Sequence, residues 1–394
     1  MTIIPELITP KTKTAAIIPD ENIISEIITP EMVIPGMINS DPKILMVTPL
    51  YRAQRGNSIT VERLKKGLQP KGFSIDVVSL EDSVPDFAAG AAVDPAWLGF
   101  LQNAVREKRY ALMHGFHGFY FGKVLEAVPE IAALPLLLTT TGTDLHYYLS
   151  GDGERVIRNT FKAVKKIVLF NEAFRARIRN SYPELSSKLV TIPQGIDLPE
   201  GKIKGREDLG WSEDDLVFFL PSGFRVVKNL DLAINALMKI QPDFPQVRLL
   251  IVGAAIDPDY TRAIEKRLRQ LPWVRWLGEI PHAEMKGIIA LADIVLNTSY
   301  SEGQPQGALE AMSLGKPAIL SAVPGNLNLM TSGVEGFYVS NEEELMAAAR
   351  TLISNQQLRE KMGRAAQKLV ESEFSLKKEL TSYAKLYDEL LHSY

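Results

Sequence analysis

The stretch SEGQPQGALEAMSLGKPAI, Ser301–Ile319, sets Glu302 and Glu310 eight positions apart around a loop that leads into a helix. Glu302 ends a strand-side loop and Glu310 falls about a turn into the following helix, so both carboxylates can face one ligand. A carboxylate accepts paired hydrogen bonds from a vicinal diol. Acids near a helix start are also favoured by the helix dipole alone, so the spacing by itself leaves both readings open.

Other candidates lie in similar loops. PSGFRVVKNLDLAI carries Gly223, Arg225 and Lys228 between an apolar run and an amphipathic one, although a lysine at a helix start is commonly just solvated. In the first half, RGNSI holds Gly56 and Asn57, YALMHGF and the residue after it hold His114 and His117, and TTTGTDL holds Thr141 and Asp144.

Loops can act together only if a frame sets them on one edge. KILMVTPLY from Lys43 is a nearly continuous apolar run, as expected of a strand buried on both faces of a parallel sheet. A glycine-bearing loop follows, then Ser58 as helix cap, a helix through Val61, Leu64 and Leu68, and a strand over Ile75–Leu80, together a βαβ unit. The rhythm continues through YALMHGF, the helical YFGKVLEAVPEIA, LPLLLTTTGTDL, KIVLFNE and LVTIPQGID, pauses at LPEGKIKGREDLGWSEDD, and restarts with LVFFLPSG, VRLLIVGAA, VRWLGEI, DIVLNTS, KPAILSAV and GFYVS. Polar residues gather at the strands' C-terminal ends, among them Asn171, Gln194 and Asp197, which is the edge where open α/β sheets bind ligands.

The expected class is therefore α/β, with two Rossmann-like doubly wound domains facing each other across a cleft. The boundaries are a Pro/Ile-rich extended arm at 1–42, a first domain at 43–197, a linker at 198–214, a second domain at 215–373, and a closing amphipathic helix at 374–394 that crosses back to the first domain. At 394 residues the chain exceeds what one core usually spans, which agrees with two domains. A net charge of −3 gives no attraction to nucleic acid. The absence of cysteine excludes disulfides, thiolate zinc sites and cysteine nucleophiles, fits a cytoplasmic protein, and, with five scattered histidines, argues against a metal centre. The basic stretch FKAVKKIVLFNEAFRARIRN raises peripheral membrane contact, but its apolar part reads better as a buried strand.

Taken together, SEGQPQGALEAMSLGKPAI is similar to the E-x7-E signature, followed by LEAM-x-x-G-x-P, of retaining glycosyltransferases with the GT-B fold, the large group 1 or family 4 enzymes. The likeness spans nearly all of residues 43–390. It implies that Glu310 holds the ribose hydroxyls of a nucleoside diphosphate sugar and that Glu302 holds the donor sugar near its anomeric carbon. Gly303, Gln304, Pro305, Gln306, Gly307, Ala308 and Leu309 would form the donor loop, with backbone amides toward the sugar and diphosphate. PSGFRVVKNLDLAI resembles the Gly-Arg-x-x-x-x-Lys element that neutralises the diphosphate, with Arg225 closer to Lys228 than the common pattern has it. Gly223 belongs to the same element, and Gly56 and Asn57 to a glycine loop near the donor.

Thr141 stands where many members carry a histidine, which makes His114 and His117 candidates to supply an imidazole beside Thr141 and Asp144 on the acceptor side. Asn328 replaces a usual glutamate, and VGAA at 252–255 lacks the second glycine of G-x-G. The resemblance implies a metal-independent, cofactor-free hexosyl transfer, UDP-sugar favoured, to an unidentified acceptor. Two alternatives stand beside it: transfer to a thiol or selenol, and a catalytically silent nucleotide-sugar-binding protein.

Overall fold

Short apolar runs, each closed by a polar loop and followed by an amphipathic stretch, bury both faces only in a parallel sheet flanked by helices. The computed structural model describes residues 42–51, 56–82, 95–142, 144–145, 149, 153–201 and 205–392. The expected arm falls outside these residues except for Pro42.

Among the described residues all twelve apolar runs are strands, in two parallel six-stranded sheets. The first contains β1 (Lys43–Thr48), β2 (Ser74–Ser79), β3 (Leu112–Phe116), β4 (Leu136–Thr139), β5 (Lys166–Leu169) and β6 (Leu189–Thr191), in the order β2-β1-β3-β4-β5-β6. The second contains β7 (Leu216–Pro221), β8 (Val247–Val252), β9 (Val274–Trp276), β10 (Ile294–Asn297), β11 (Ala318–Ser321) and β12 (Gly336–Val339), in the order β12-β11-β10-β7-β8-β9. Strand order reverses direction at β1/β3 and at β7/β10, the crevices where doubly wound sheets take ligands.

Helices cover both faces. In the first lobe they are α1 (Gly56–Leu68), α2 (Pro95–Arg106), α3 (Gly118–Ala127), α4 (Glu154–Ala163) and α5 (Glu172–Ser181). The second has α6 (Leu230–Ile240), α7 (Pro258–Leu268), α8 (Met285–Ala290), α9 (Gln306–Ser313), α10 (Glu342–Ser354) and α11 (Gln356–Glu373), and α12 (Leu376–His392) closes the chain. Helix α1 starts at Gly56, so Gly56 and Asn57 are helical rather than part of a loop, and Ser58 is buried in the first turn instead of capping it. Glycine and asparagine both suit a helix start, which lets the chain turn in before the serine.

Alternate residues of β1 serve different cores. Leu45 and Val47 join Phe121, Ile157 and Phe174 on one face, while Ile44 and Met46 join Val61 and Leu64 of α1 on the other. Helix α12 completes the second of these with Leu380, Tyr383, Leu386, Tyr387 and Leu390. It lies so close to α1 that a Cβ on Gly67 would sit 2.4 Å from Leu380 Cδ1. Beside that contact Arg63 donates two hydrogen bonds to Glu379, both 2.8 Å and both buried. Burial pushes the Glu379 carboxyl up, against the pull of Arg63. The chain passes between lobes at Ile196 and again at Ser375, and the two crossings pair side by side, with Ile196 N–H donating to Phe374 O at 2.8 Å. No helix among the described residues is long and apolar enough to cross a membrane.

Candidate active site

Parallel pairing of β10 with β7 makes the loops that follow these strands leave the sheet side by side. Tyr300 N–H donates to Val227 O at 2.9 Å and Thr298 Oγ1 to Asn229 O at 3.0 Å, which stitches the loops together. Lys228 ends a short turn over Val226–Lys228 and places Nζ 2.6 Å from Glu302 Oε1. The same oxygen accepts from Ser299 Oγ at 2.6 Å and Asn297 Nδ2 at 2.9 Å. Asn326 Nδ2 in turn donates to Asn297 Oδ1 at 3.0 Å, fixing that amide. Three donors thus converge on Oε1, while Oε2 accepts no hydrogen bond among the described residues. Burial alone would raise the Glu302 carboxyl, but Lys228, Ser299 and Asn297 outweigh it and hold the group below the ordinary glutamate value. Glu302 is an ionised acid with one oxygen to offer.

Helix α9 begins against the end of β7, where a Cβ on Gly307 would lie 2.6 Å from Pro221 Cβ. Its buried Glu310 directs Oε1 to His282 Nε2 at 3.0 Å. The amides expected to face a diphosphate are partly committed elsewhere. Gln306 N–H bonds Gln304 O at 2.9 Å, and those of Ala308 and Leu309 both bond Pro305 O at 3.0 Å. Pro305 has no N–H. The amides of Gly303, Gln304 and Gly307 are therefore those the loop retains without a backbone partner among the described residues.

The first lobe meets this loop directly. Gly142, at φ +95°, leaves so little room that a Cβ there would lie 2.7 Å from Gly303 Cα. Asn171 caps α5 with its Oδ1 and donates from Nδ2 to Gly303 O at 3.2 Å. Gln304 and Gln306, expected to serve the donor, turn their side chains to the first lobe. Gln304 Oε1 accepts from Gln194 N–H at 3.0 Å, its Nε2 donates to Gln194 O at 2.9 Å, and Gln306 Nε2 donates to Gly195 O at 3.2 Å. Gln194 Nε2 continues to Thr60 Oγ1 on α1 at 2.9 Å. The C-terminal edges of both sheets therefore close on one strip of loop. Thr141 lays its carbonyl against Gly303, and its buried Oγ1 has no hydrogen-bond partner among the described residues.

One acceptor-side candidate, His114, is drawn into the core rather than brought to the cleft as expected. His114 is fully buried, with Nδ1 2.7 Å from Tyr387 Oη and Nε2 2.8 Å from Thr139 Oγ1, and burial lowers its pKa to about 3. It is a neutral core histidine sealed by α12. Asp144 accepts from the amides of Gly118 (2.8 Å), Thr141 (3.0 Å) and Leu145 (3.1 Å), so its carboxylate fastens the loop after β4 to the start of α3. His117 is buried beside Tyr120 at the β3–α3 junction with φ 70°, and burial lowers its pKa against the opposing charge of Asp144. Arg225 is exposed, and the cation that pairs with Glu302 is Lys228. Gly223 lies against Ile256 and the carbonyl of Ala254.

His282, Asn297, Ser299 and Asn326 escaped the sequence. Asn297 and Ser299 had a local signal, since they stand just before Glu302 at the end of β10. For His282 the only sign was its place in a loop after β9, on the same sheet edge.

Residues 202–369 match the family model of glycosyl transferases group 1. The chain is 24% identical to glycosyltransferase 1 domain-containing protein 1 of Xenopus tropicalis, over 87% of this chain and 97% of the relative. Its fold is similar to that of sucrose-phosphate synthase from Thermosynechococcus elongatus, with a TM-score of 0.75, 17% identity, and coverage of 90% of this chain and 100% of that one. It is also similar to HepE of Anabaena, solved in complex with UDP and glucose, with a TM-score of 0.70, 20% identity, and coverage of 88% and 100%. Residues 202–369 thus match the glycosyl transferases group 1 family, and the chain is a glycosyltransferase with the GT-B fold of two Rossmann-like lobes.

Proposed function

We propose that the protein moves a sugar, with retention of configuration and without a metal ion, from a nucleoside diphosphate sugar to an acceptor held by the first lobe. The observation that carries this reading is the 2.6 Å contact of Lys228 Nζ with Glu302 Oε1 at the β7/β10 crevice, beside an Oε2 that accepts no hydrogen bond among the described residues. In this reading Oε2 takes a donor-sugar hydroxyl near the anomeric carbon, and Glu310 takes the ribose diol. As the bond from the anomeric carbon to the β-phosphate oxygen breaks, charge grows on the diphosphate. Lys228, the retained loop amides and Arg225 meet that charge, each well-placed donor contributing about 3 kcal/mol. The acceptor atom bonds the anomeric carbon from the face the diphosphate leaves, and its proton passes to the leaving phosphate oxygen. UDP is the favoured nucleotide because HepE, whose fold this chain resembles, was solved with UDP and glucose.

Thermal melts with UDP, GDP, ADP and their sugars test the donor, since a ligand at a hundredfold excess over its Kd stabilises by about 2.7 kcal/mol. Turnover of the donor that binds is expected in the wild type and lost in Glu302→Ala and Lys228→Ala. Product analysis with hydroxyl and thiol acceptors identifies the acceptor atom. A melt shifted by NAD and by none of these nucleotides overturns the reading.

A further inference from the structure

The two acids of the site share an arrangement that their sequence motif does not contain. Each has its Oε1 bound by a cationic or potentially cationic side chain from a different loop, Lys228 at 2.6 Å on Glu302 and His282 at 3.0 Å on Glu310. Each has an Oε2 without a hydrogen bond among the described residues. Of the two side chains, the imidazole is the kind that changes charge near neutral pH. The surroundings favour the charged form. The bond to Glu310 raises the His282 pKa, burial opposes it, Asp197 of the crossover adds to the rise, and Arg63 of α1 pulls the other way. Arg63 is itself paired with Glu379 of α12, and Glu284 belongs to the same short turn as His282.

We propose that His282 is a positioning residue for the nucleotide ribose: as an imidazolium it holds Glu310 Oε1 and aims Oε2 at the ribose diol, so that nucleotide affinity depends on the proton His282 carries. The inference rests on the assignment of the ribose to Glu310. A carboxylate held at one oxygen presents the other in a fixed direction, and loss of a hydrogen bond to a charged group lowers affinity by about tenfold or more. Deprotonation above the raised His282 pKa leaves a neutral ring. That ring either donates Nε2–H without charge or turns a lone pair toward Glu310.

The test is calorimetric titration of UDP, GDP and ADP, and of their 2′,3′-dideoxy counterparts, into wild type, His282→Ala, His282→Gln and Glu310→Gln at about pH 6 and about pH 8.5, either side of an ordinary or moderately raised imidazole pKa. All three nucleotides carry the same ribose, so the expectation is the same for whichever binds. Wild-type affinity for the ribonucleotide falls from the lower to the higher pH. His282→Ala binds it about tenfold more weakly at the lower pH with no further fall. His282→Gln retains a neutral donor, so its affinity lies between the two and does not vary with pH, and it serves if the alanine variant folds poorly. The dideoxy compounds bind wild type and both His282 variants alike.

If ribonucleotide affinity is unchanged in both His282 variants, or if they weaken the dideoxy compounds equally, the role of His282 is overturned while Glu310→Gln still reports on the ribose. If the dideoxy compounds bind wild type as tightly as the ribonucleotides, or no nucleotide binds, the assignment of Glu310 falls and takes this inference with it.

Discussion

Replacing Lys228 by alanine strips the cation from a carboxylate that cannot reach water easily. The Glu302 side chain is 7% exposed and that of Lys228 18%. Removing one partner of a fully buried pair costs about 3–5 kcal/mol. Here the effect is smaller for two reasons. Ser299 and Asn297 still hold the same oxygen, and the partly exposed lysine places the pair nearer an effective dielectric of about 20 than of about 4. A loss of about 2–3 kcal/mol remains, a fall in melting temperature of about 5–10 °C for a lobe of this size. Adding Glu302→Gln to Lys228→Ala removes the stranded charge, so the double variant recovers much of that stability while donor turnover stays lost. Melts and turnover assays on the wild type, both single variants and the double variant give the cycle, with an expected coupling of about 1.5–3 kcal/mol. Additive single effects, or a Lys228→Ala protein that melts like the wild type, would refute the claim that this contact is a buried pair holding the site in shape.

Other outcomes follow from the same geometry. Gly142→Ala introduces a Cβ at φ +95° only 2.7 Å from Gly303 Cα, so the lobes are held apart there; turnover is expected to fall at least tenfold with a smaller change in melting temperature. His114 stays unprotonated in the folded chain down to about 3, against an ordinary value of 6.5. Between those values the unfolded chain binds the extra proton, so stability is fully present above about pH 6.5 and declines as pH falls through the window. His114→Asn should flatten that slope in acid titrations followed by circular dichroism. Dialysis against EDTA should leave transfer unchanged, since the proposal gives the diphosphate charge to Lys228 and the loop amides. A loss restored by magnesium or manganese would contradict it.

The strands were legible because runs such as KILMV and LVFFL are apolar on both faces, and only a parallel sheet satisfies both. Glu302 was legible because its setting is local: Asn297, Ser299 and the α9 start lie within a few residues of it. Its ion pair joins loops 74 residues apart, and only the family likeness gave Lys228 away. His282 lies 28 residues before Glu310, and the packing of α9 against β7 decides that contact rather than any spacing. His114 misled for the opposite reason. Its place at a strand end looks like a site, but Tyr387, 273 residues later, folds back to cover it. The contacts of Asp144 were not legible, because the donors it serves are backbone amides, which no side-chain pattern reveals. Gln304 and Gln306 sit at the helix start as the motif requires, yet their amide side chains reach Gln194 and Gly195 because the two strand edges meet there.

The position of α12 fixes an order of assembly during translation. The face of the first sheet that presents Ile44, Met46, Leu112 and Leu137 is sealed by Tyr383 and Tyr387, and Arg63 finds its carboxylate on Glu379. None of these partners exists until the ribosome has passed the second lobe, whose strands and helices are complete by Glu373. The lobe made first is thus finished after the second, and the nascent protein carries an uncovered apolar sheet, with a guanidinium awaiting its counter-ion, throughout the synthesis of the second lobe.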